Sequence, residues 1–338
     1  MNKTENNNFD SKFLEIEKEE KKLNEKEIIP AQKIKSKIQN KINIEFLSEK
    51  KTNFITEEPP EQPKLLSIIS GGNTTTAFLP KGIVAMIIGA GGIGKTHFLT
   101  QLAISIANNE IFLNKFITNE KGNVFMVLGE NNENDIHRLI HKTVKHLYPT
   151  TKSKSDKIDF IKRLAISTVT GMNASLIDKN NEPTKFYKNL LQDLKDKEPA
   201  NGWSLIILDP IARFLGGNAE NDNSAATQFI SLLEKIAIEL KGNPTVLFAH
   251  HMNKSGLSGV ATDQGAARGS SALTDGVRWQ INLEHIKKSG KAENDKEYEV
   301  KKFTLRHVKS NHTAIIKPQT VIRDDFGNLT IKAEPQRG

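Results

Sequence analysis

From residue 63 onward, short apolar runs alternate with longer stretches in which apolar positions recur every three or four residues. The runs Ile83–Ile88, Val124–Leu128, Leu205–Leu208 and Val246–Ala249 are unbroken by polar residues, as strands covered on both faces are. Between them, Thr96–Ala107, Asp135–Leu147, Thr184–Leu194 and Ala225–Leu240 read as helices. A weaker strand is predicted through Leu164–Val169. This alternation predicts a mainly parallel sheet flanked by helices. From Val277 the pattern turns strand-rich, with Val277–Leu283, Tyr298–Val308, Ala314–Ile322 and Asn328–Ile331 reading as antiparallel additions. The predicted class is α/β: one nucleotide-binding domain over 63–338, with a β-rich C-terminal extension from about residue 284.

Residues 1–62 break the pattern. Phe13, Leu14, Ile16 and Leu23 are too sparse for a continuous stripe beside the charged run Glu15–Glu27. The segment reads as a solvated, disordered or frayed-helical tail; the alternative is a helix that orders on a partner. Glu57–Pro63, EEPPEQP, reads as a linker.

Charge sharpens this division. The tail holds 12 Lys and 13 acidic residues of the chain's 48 basic and 40 acidic, which leaves 36 against 27, a net of +9, for the rest. A basic folded part suits a polyanionic partner. Only eight of the basic residues are Arg, the side chain suited to gripping phosphate as a planar fork. The 338 residues include no Cys, which excludes a disulfide scaffold or thiolate metal site. No apolar run approaches the ~20 residues of a membrane span, and MNKTENNNFDSKF is not a secretory signal. The expectation is a cytoplasmic protein with no membrane partner.

The chemistry begins at Gly89-Ala90-Gly91-Gly92-Ile93-Gly94-Lys95-Thr96, which matches G-x-x-x-x-G-K-[ST] between a predicted strand and helix. Such a loop wraps backbone N–H groups around phosphates, with the helix N-terminus behind them. Lys95 would reach the β- and γ-phosphates, and the Thr96 hydroxyl would hold Mg²⁺. Trp203–Pro210 is a buried strand ending in Asp209, placed to contact the Mg²⁺ shell.

Pro210 follows Asp209, so the carboxylate that orients the attacking water has to come from elsewhere. Glu130, in Val127-Leu128-Gly129-Glu130 at another strand end, is preferred over Glu133 because the strand fixes its direction. A GTPase is disfavoured, because Asn253-Lys254-Ser255-Gly256 lacks the Asp of N-K-x-D. The strand ending Ala249-His250-His251 places a polar group where it can sense the γ-phosphate. Zinc is disfavoured there for want of a third ligand, and His137 and His141, lacking the Glu of a zincin motif, are assigned to a helix face.

Asn253–Arg268 is small and glycine-rich, with Lys254 and Arg268 at its ends; the expectation is a mobile loop. Arg268-Gly269-Ser270-Ser271-Ala272-Leu273-Thr274-Asp275-Gly276-Val277-Arg278-Trp279-Gln280 then places two Arg ten residues apart.

Taken in order, GAGGIGKT, VLGEN, ILDPIARF, FAHHMNKSG and RGSSALTDGVRWQ resemble the RepA-type hexameric helicases of plasmid replication, which are RecA-like P-loop ATPases. The likeness covers about Ile83 to Gln280 and extends to the terminal strands. It implies ATP and Mg²⁺ as cofactors, 5′ to 3′ travel on single-stranded or forked DNA, and a homo-oligomeric ring. A replication initiator or primase is the implied further partner. It also implies that Glu130 polarises the water, His250 senses the γ-phosphate, and Arg278 is an arginine finger reaching the neighbouring subunit's ATP. Lys254 and Arg268 would touch DNA; Arg213 matches without a defined role. The run Glu130-Asn131-Asn132 departs from related motors, which more often have another acid after the glutamate. Two rival functions remain: a RecA-like, DNA-stimulated ATPase that does not unwind, and an ATP-controlled, DNA-bound regulatory subunit.

Overall fold

The computed structural model describes residues 44–69, 75–148, 159–216, 219–253, 265, 267, 269, 271–286 and 302–332. The chain divides between Glu61 and Gln62 into two units. In the first, a 3-10 turn at Leu47–Glu49 is closed by the Glu49 carboxylate, which accepts from the Phe46 N–H at 2.8 Å. The Asn53 side chain accepts from the Ile55 N–H at 3.0 Å. Most of the expected charged tail falls in residues 1–43, outside the described residues.

The second unit runs, in chain order, β1 (Lys64–Ile69), β2 (Thr75–Pro80), β3 (Val84–Gly89), α1 (Lys95–Asn108), β4 (Phe116–Thr118), β5 (Val124–Leu128) and α2 (Glu133–Leu147). It continues with β6 (Leu164–Thr168), α3 (Lys185–Asp196), β7 (Leu205–Asp209), α4 (Asn223–Glu239), β8 (Thr245–His251) and α5 (Ser271–Gly276). The last elements are β9 (Trp279–His285), β10 (Lys302–Ser310), β11 (Gln319–Arg323) and β12 (Leu329–Ile331).

Nine strands form the main sheet in the order β12-β11-β10-β9-β3-β8-β7-β5-β6. Every residue of β3 and β7 is buried, which explains their unbroken apolar sequences: both faces are covered. The edge strand β6 alternates between partly buried and exposed positions, and its sequence signal is correspondingly weak.

One expectation is corrected. The segment beginning at Val277 enters the sheet as β9, parallel to β3; antiparallel pairing starts only at β10. After β8 the chain passes through α5, so it re-enters the sheet from the same end as β3. A six-residue helix is too short to show a clear period.

Strand alternation divides the apolar residues between two cores. Ala85, Ile87, Leu247 and Ala249 face one core with Leu99 and Ile104 of α1. Val84, Met86, Ile88, Val246 and Phe248 face the other, with residues of α3 and α4. Asn132 caps α2, accepting from the Asp135 N–H at 3.0 Å, while Asp135 accepts from the Asn132 N–H at 3.1 Å. The Asn run after Glu130 thus starts a helix, satisfying amides that would otherwise lack acceptors.

A second sheet, β2-β1-β4, is antiparallel and has no counterpart among the sequence expectations. It is locked to the main sheet by Phe78, whose ring meets that of Trp279 of β9 edge-on at 5.2 Å between centroids. The Phe78 carbonyl accepts from Trp279 Nε1 at 2.7 Å. Phe78 is fully buried, so its truncation to Ala would cost about 3–5 kcal/mol.

Candidate active site

The candidate site is built where the strands leave the hydrophobic layers. β3 ends at Gly89, and the chain turns through Gly92 (φ 73°) and Gly94 (φ 112°) before α1 begins at Lys95. At Gly94 a side chain would be strained by backbone conformation alone; its carbonyl accepts the first α1 hydrogen bond, from Phe98 N at 2.9 Å. The loop therefore lies at the positive end of a buried helix.

Lys95 folds back onto the loop, its Nζ donating to the carbonyls of Gly89 at 2.7 Å and Ala90 at 2.9 Å. Burial pushes its pKa down, against the pull of Asp209 and Glu130. Thr96 Oγ1 donates to Asp209 Oδ2 at 2.6 Å. Asp209 ends β7 and is 3% exposed; burial raises its pKa to about 6, with the Thr96 hydrogen bond and Lys95 opposing.

β8 is the strand inserted between β3 and β7. It brings His251 level with Gly89, and His251 lines the cavity while His250 does not. The reason is the two-residue period of a strand. His250 shares the face of Val246 and Phe248 and is buried at 1% exposure; His251 shares the face of Leu247 and Ala249, on the α1 side. His250 was the expected sensor; of the two histidines it is His251 that reaches the cavity. The same alternation, read along the sequence, would have distinguished them.

Glu130, just beyond β5, lines the cavity and is half exposed. Arg213, on the 3-10 turn Ile211–Arg213 after β7, places its Nε 3.6 Å from Glu130 Oε1. Lys95, Thr96, Glu130, Asp209 and the loop glycines thus meet in one cavity of about 450 Å³.

The C-terminal hairpin brings a residue that sequence reasoning missed. Arg323, at the end of β11, donates from Nη1 to the Gly92 carbonyl at 2.7 Å and lines the same cavity. The hairpin is fastened to α1 by Gln101, which donates to the Leu329 carbonyl at 3.0 Å and accepts from the Leu329 N–H at 2.7 Å. Arg138 and Lys142 of α2 also reach the cavity. The His97 pKa is lowered there, by burial first and then by Arg323 and Lys142. The basic lining suits a polyphosphate.

Among the described residues no group of three or more His, Cys, Asp and Glu is arranged to hold a metal alone. Mg²⁺ needs no such cage, because it takes one or two carboxylates and completes its shell with water and substrate phosphates. The juxtaposed Thr96 hydroxyl and Asp209 carboxylate fit that role.

Arg278 lies elsewhere. It precedes β9, donates its N–H to the Val84 carbonyl at 2.9 Å, and is exposed. Gly89 is five residues along β3 from Val84, so the Arg278 backbone lies about 16 Å from the start of the phosphate loop, at the opposite end of the sheet. Its side chain has no ion pair among the described residues. Lys254 and Arg268 lie outside the described residues. The base of their segment is pinned by an antiparallel bridge between Met252 and Ala267 and by Asn253 Nδ2 donating to the Ala267 carbonyl at 3.0 Å.

The sequence model of the AAA domain family matches residues 45–256. An ATPase domain of known structure is 15% identical, with 74% of this chain and 84% of that chain covered at a TM-score of 0.50. A KaiC-like protein from Pyrococcus horikoshii OT3 is 13% identical over 75% of this chain and 91% of that one, at 0.46. A DnaB-like replicative helicase, studied with its interactions with primase, is 14% identical over 74% of this chain, at 0.49; only 57% of that chain is spanned. The fold is that of a RecA-like P-loop NTPase, with a mostly parallel sheet flanked by helices and antiparallel C-terminal strands.

Proposed function

The chain belongs to the AAA domain family, and from that premise we propose that it is an ATP-dependent DNA helicase of the RepA type. It forms a ring, taken as hexameric, that tracks single-stranded DNA 5′ to 3′ and parts a fork in plasmid or mobile-element replication. Its further partners are a replication initiator or primase, and it works in the cytoplasm. The observation that carries the ATPase half is the meeting of Lys95, Thr96, Asp209 and Glu130 in one cavity. The DNA half rests on the resemblance, above all on the block Arg268–Gln280.

In this mechanism the loop amides and Lys95 hold the phosphates. Lys95 exchanges its two loop carbonyls for phosphate oxygens. Thr96 and Asp209 would hold Mg²⁺, which would supply neutralisation of charge on the phosphate oxygens. Glu130 orients a water and takes its proton. His251 follows the γ-phosphate and lies two residues before Asn253, whose side chain donates to the Ala267 carbonyl at the base of the DNA-facing loop. Arg278 is too far from its own loop to act there, and it serves the ATP of the adjacent copy. Such a finger contributes on the order of 10³–10⁵ in rate.

The deciding experiment is a forked-duplex assay on the full chain. ATP-dependent strand release, lost in Lys95→Ala, is expected. ATPase activity stimulated by DNA without strand release would replace the helicase reading with a loading or recombination ATPase. Binding without turnover would point to a regulatory subunit.

A further inference from the structure

β5 and β7 are parallel neighbours with Leu128 level with Asp209, so Glu130 and the 3-10 turn Ile211–Arg213 emerge side by side. The turn is anchored from below, with Ile211 and Phe214 fully buried. Its geometry fixes where Arg213 begins. The Arg213 side chain then runs across Gly129: a Cβ built there would lie 2.4 Å from Arg213 Cγ and 2.8 Å from its Cβ. These are stem atoms close to the backbone, so they cannot swing aside cheaply. Gly129 is itself tied to the same strand end, its N–H donating to the Asp209 carbonyl at 2.8 Å.

The stem laid over Gly129 brings Arg213 Nε 3.6 Å from Glu130 Oε1. This is the one ion pair of either side chain among the described residues. Glu130 lines the cavity, whereas Arg213 does not. A half-exposed ion pair contributes little to stability, so its consequence lies in direction rather than in folding. Glu130 stands beyond its strand with its side chain half exposed, and a misplacement of about 1 Å in a reacting group can cost ~10²-fold in rate.

We infer that Arg213 is a positioning residue: from outside the cavity it holds the Glu130 carboxylate against the nucleotide site, and Gly129 is glycine to let its side chain cross. This deepens the ATPase reading and rests on Glu130 serving the attacking water. The arrangement was hidden in the sequence because the three residues sit on two separate strand ends.

Steady-state ATP hydrolysis by the full chain tests it. Arg213→Ala should lower kcat at least tenfold, leave KM for ATP within twofold, and melt with the parent. Arg213→Lys, which keeps a cation on a flexible stem, should recover most of the loss. Gly129→Ala should lower kcat comparably, and Gly129→Ala combined with Arg213→Ala should be no worse than Arg213→Ala alone. Unchanged or increased kcat in Arg213→Ala, beside an inactive Glu130→Gln, would overturn the positioning role while leaving Glu130 in place. Parent-rate hydrolysis by Glu130→Gln would overturn the reading of Glu130 and this inference with it.

Discussion

Thr96 Oγ1 and Asp209 Oδ2 are joined by a 2.6 Å hydrogen bond across 113 residues of sequence, tying the first turn of α1 to the end of β7. The carboxylate in that bond is nearly enclosed, and the enclosure raises its pKa from 3.8 to about 6. A raised carboxylate pKa means that the folded state binds the proton more tightly than the unfolded one. Stability therefore falls as pH rises from 3.8 to about 6, by about 3 kcal/mol, and the full cost persists above 6. Asp209→Asn should melt several degrees above the parent at pH 7.5, with the advantage vanishing below pH 4, while hydrolysis is lost. Thermal melts across pH check the sign; a lower melting temperature at pH 7.5 would refute it.

His307 supplies the opposite pH dependence. It packs edge-on to Phe78 at 5.3 Å between ring centroids, and burial lowers its pKa from 6.5 to about 4. Its neutral form is the one that fits. Its contribution is complete above pH 6.5 and declines as pH falls to 4, again by about 3 kcal/mol. His307→Gln should flatten that acid decline in stability, measured by urea unfolding at fixed pH values, whatever its effect on stability at pH 7.5.

The paired histidines should part company. His251→Ala should reduce ATP turnover at least tenfold with little change in melting temperature, since the ring lines the cavity. His250→Ala should lower the melting temperature, since it hollows a core position on the other sheet face. Parallel melting and turnover measurements distinguish them, and the reverse pattern would return the sensing role to His250.

Arg278→Ala should abolish turnover while nucleotide affinity stays within about threefold of the parent. Mixing Lys95→Ala with Arg278→Ala subunits should restore part of the activity, because one intact seam forms between an unaltered loop and an unaltered Arg278. No recovery in mixed assemblies of verified composition would exclude catalysis between copies.

Arg323→Ala should weaken nucleotide binding about five- to tenfold in a fluorescent-nucleotide titration, with a smaller effect on kcat. An unaltered dissociation constant would show that the Arg323–Gly92 hydrogen bond only braces the loop.

The phosphate loop was legible because its chemistry is local: glycines, Lys95 and Thr96 are neighbours in sequence and remain so in space. Asp209 and Glu130 were legible as strand-end acids. Arg323 was not, since 231 residues separate it from Gly92 and an antiparallel return brings it back. The sheet of β1, β2 and β4 was hard to read because Pro63 precedes its first strand and Pro80 ends its second, and because β4 has only three residues. The sharpest limit concerns Arg213. Its match to a family pattern could be read along the chain, but its partner depends on which strands lie adjacent in the sheet.

The placement of Gly89 and Arg278 at opposite ends of the paired strands β3 and β9 has a mechanical meaning. In a ring, each protomer would touch two fuel molecules, one at either margin, through a single stiff plate. Any tilt that loosens its grip on one must alter its reach toward the other, so in the proposed ring the two margins of a protomer would be coupled through hydrogen-bonded strands.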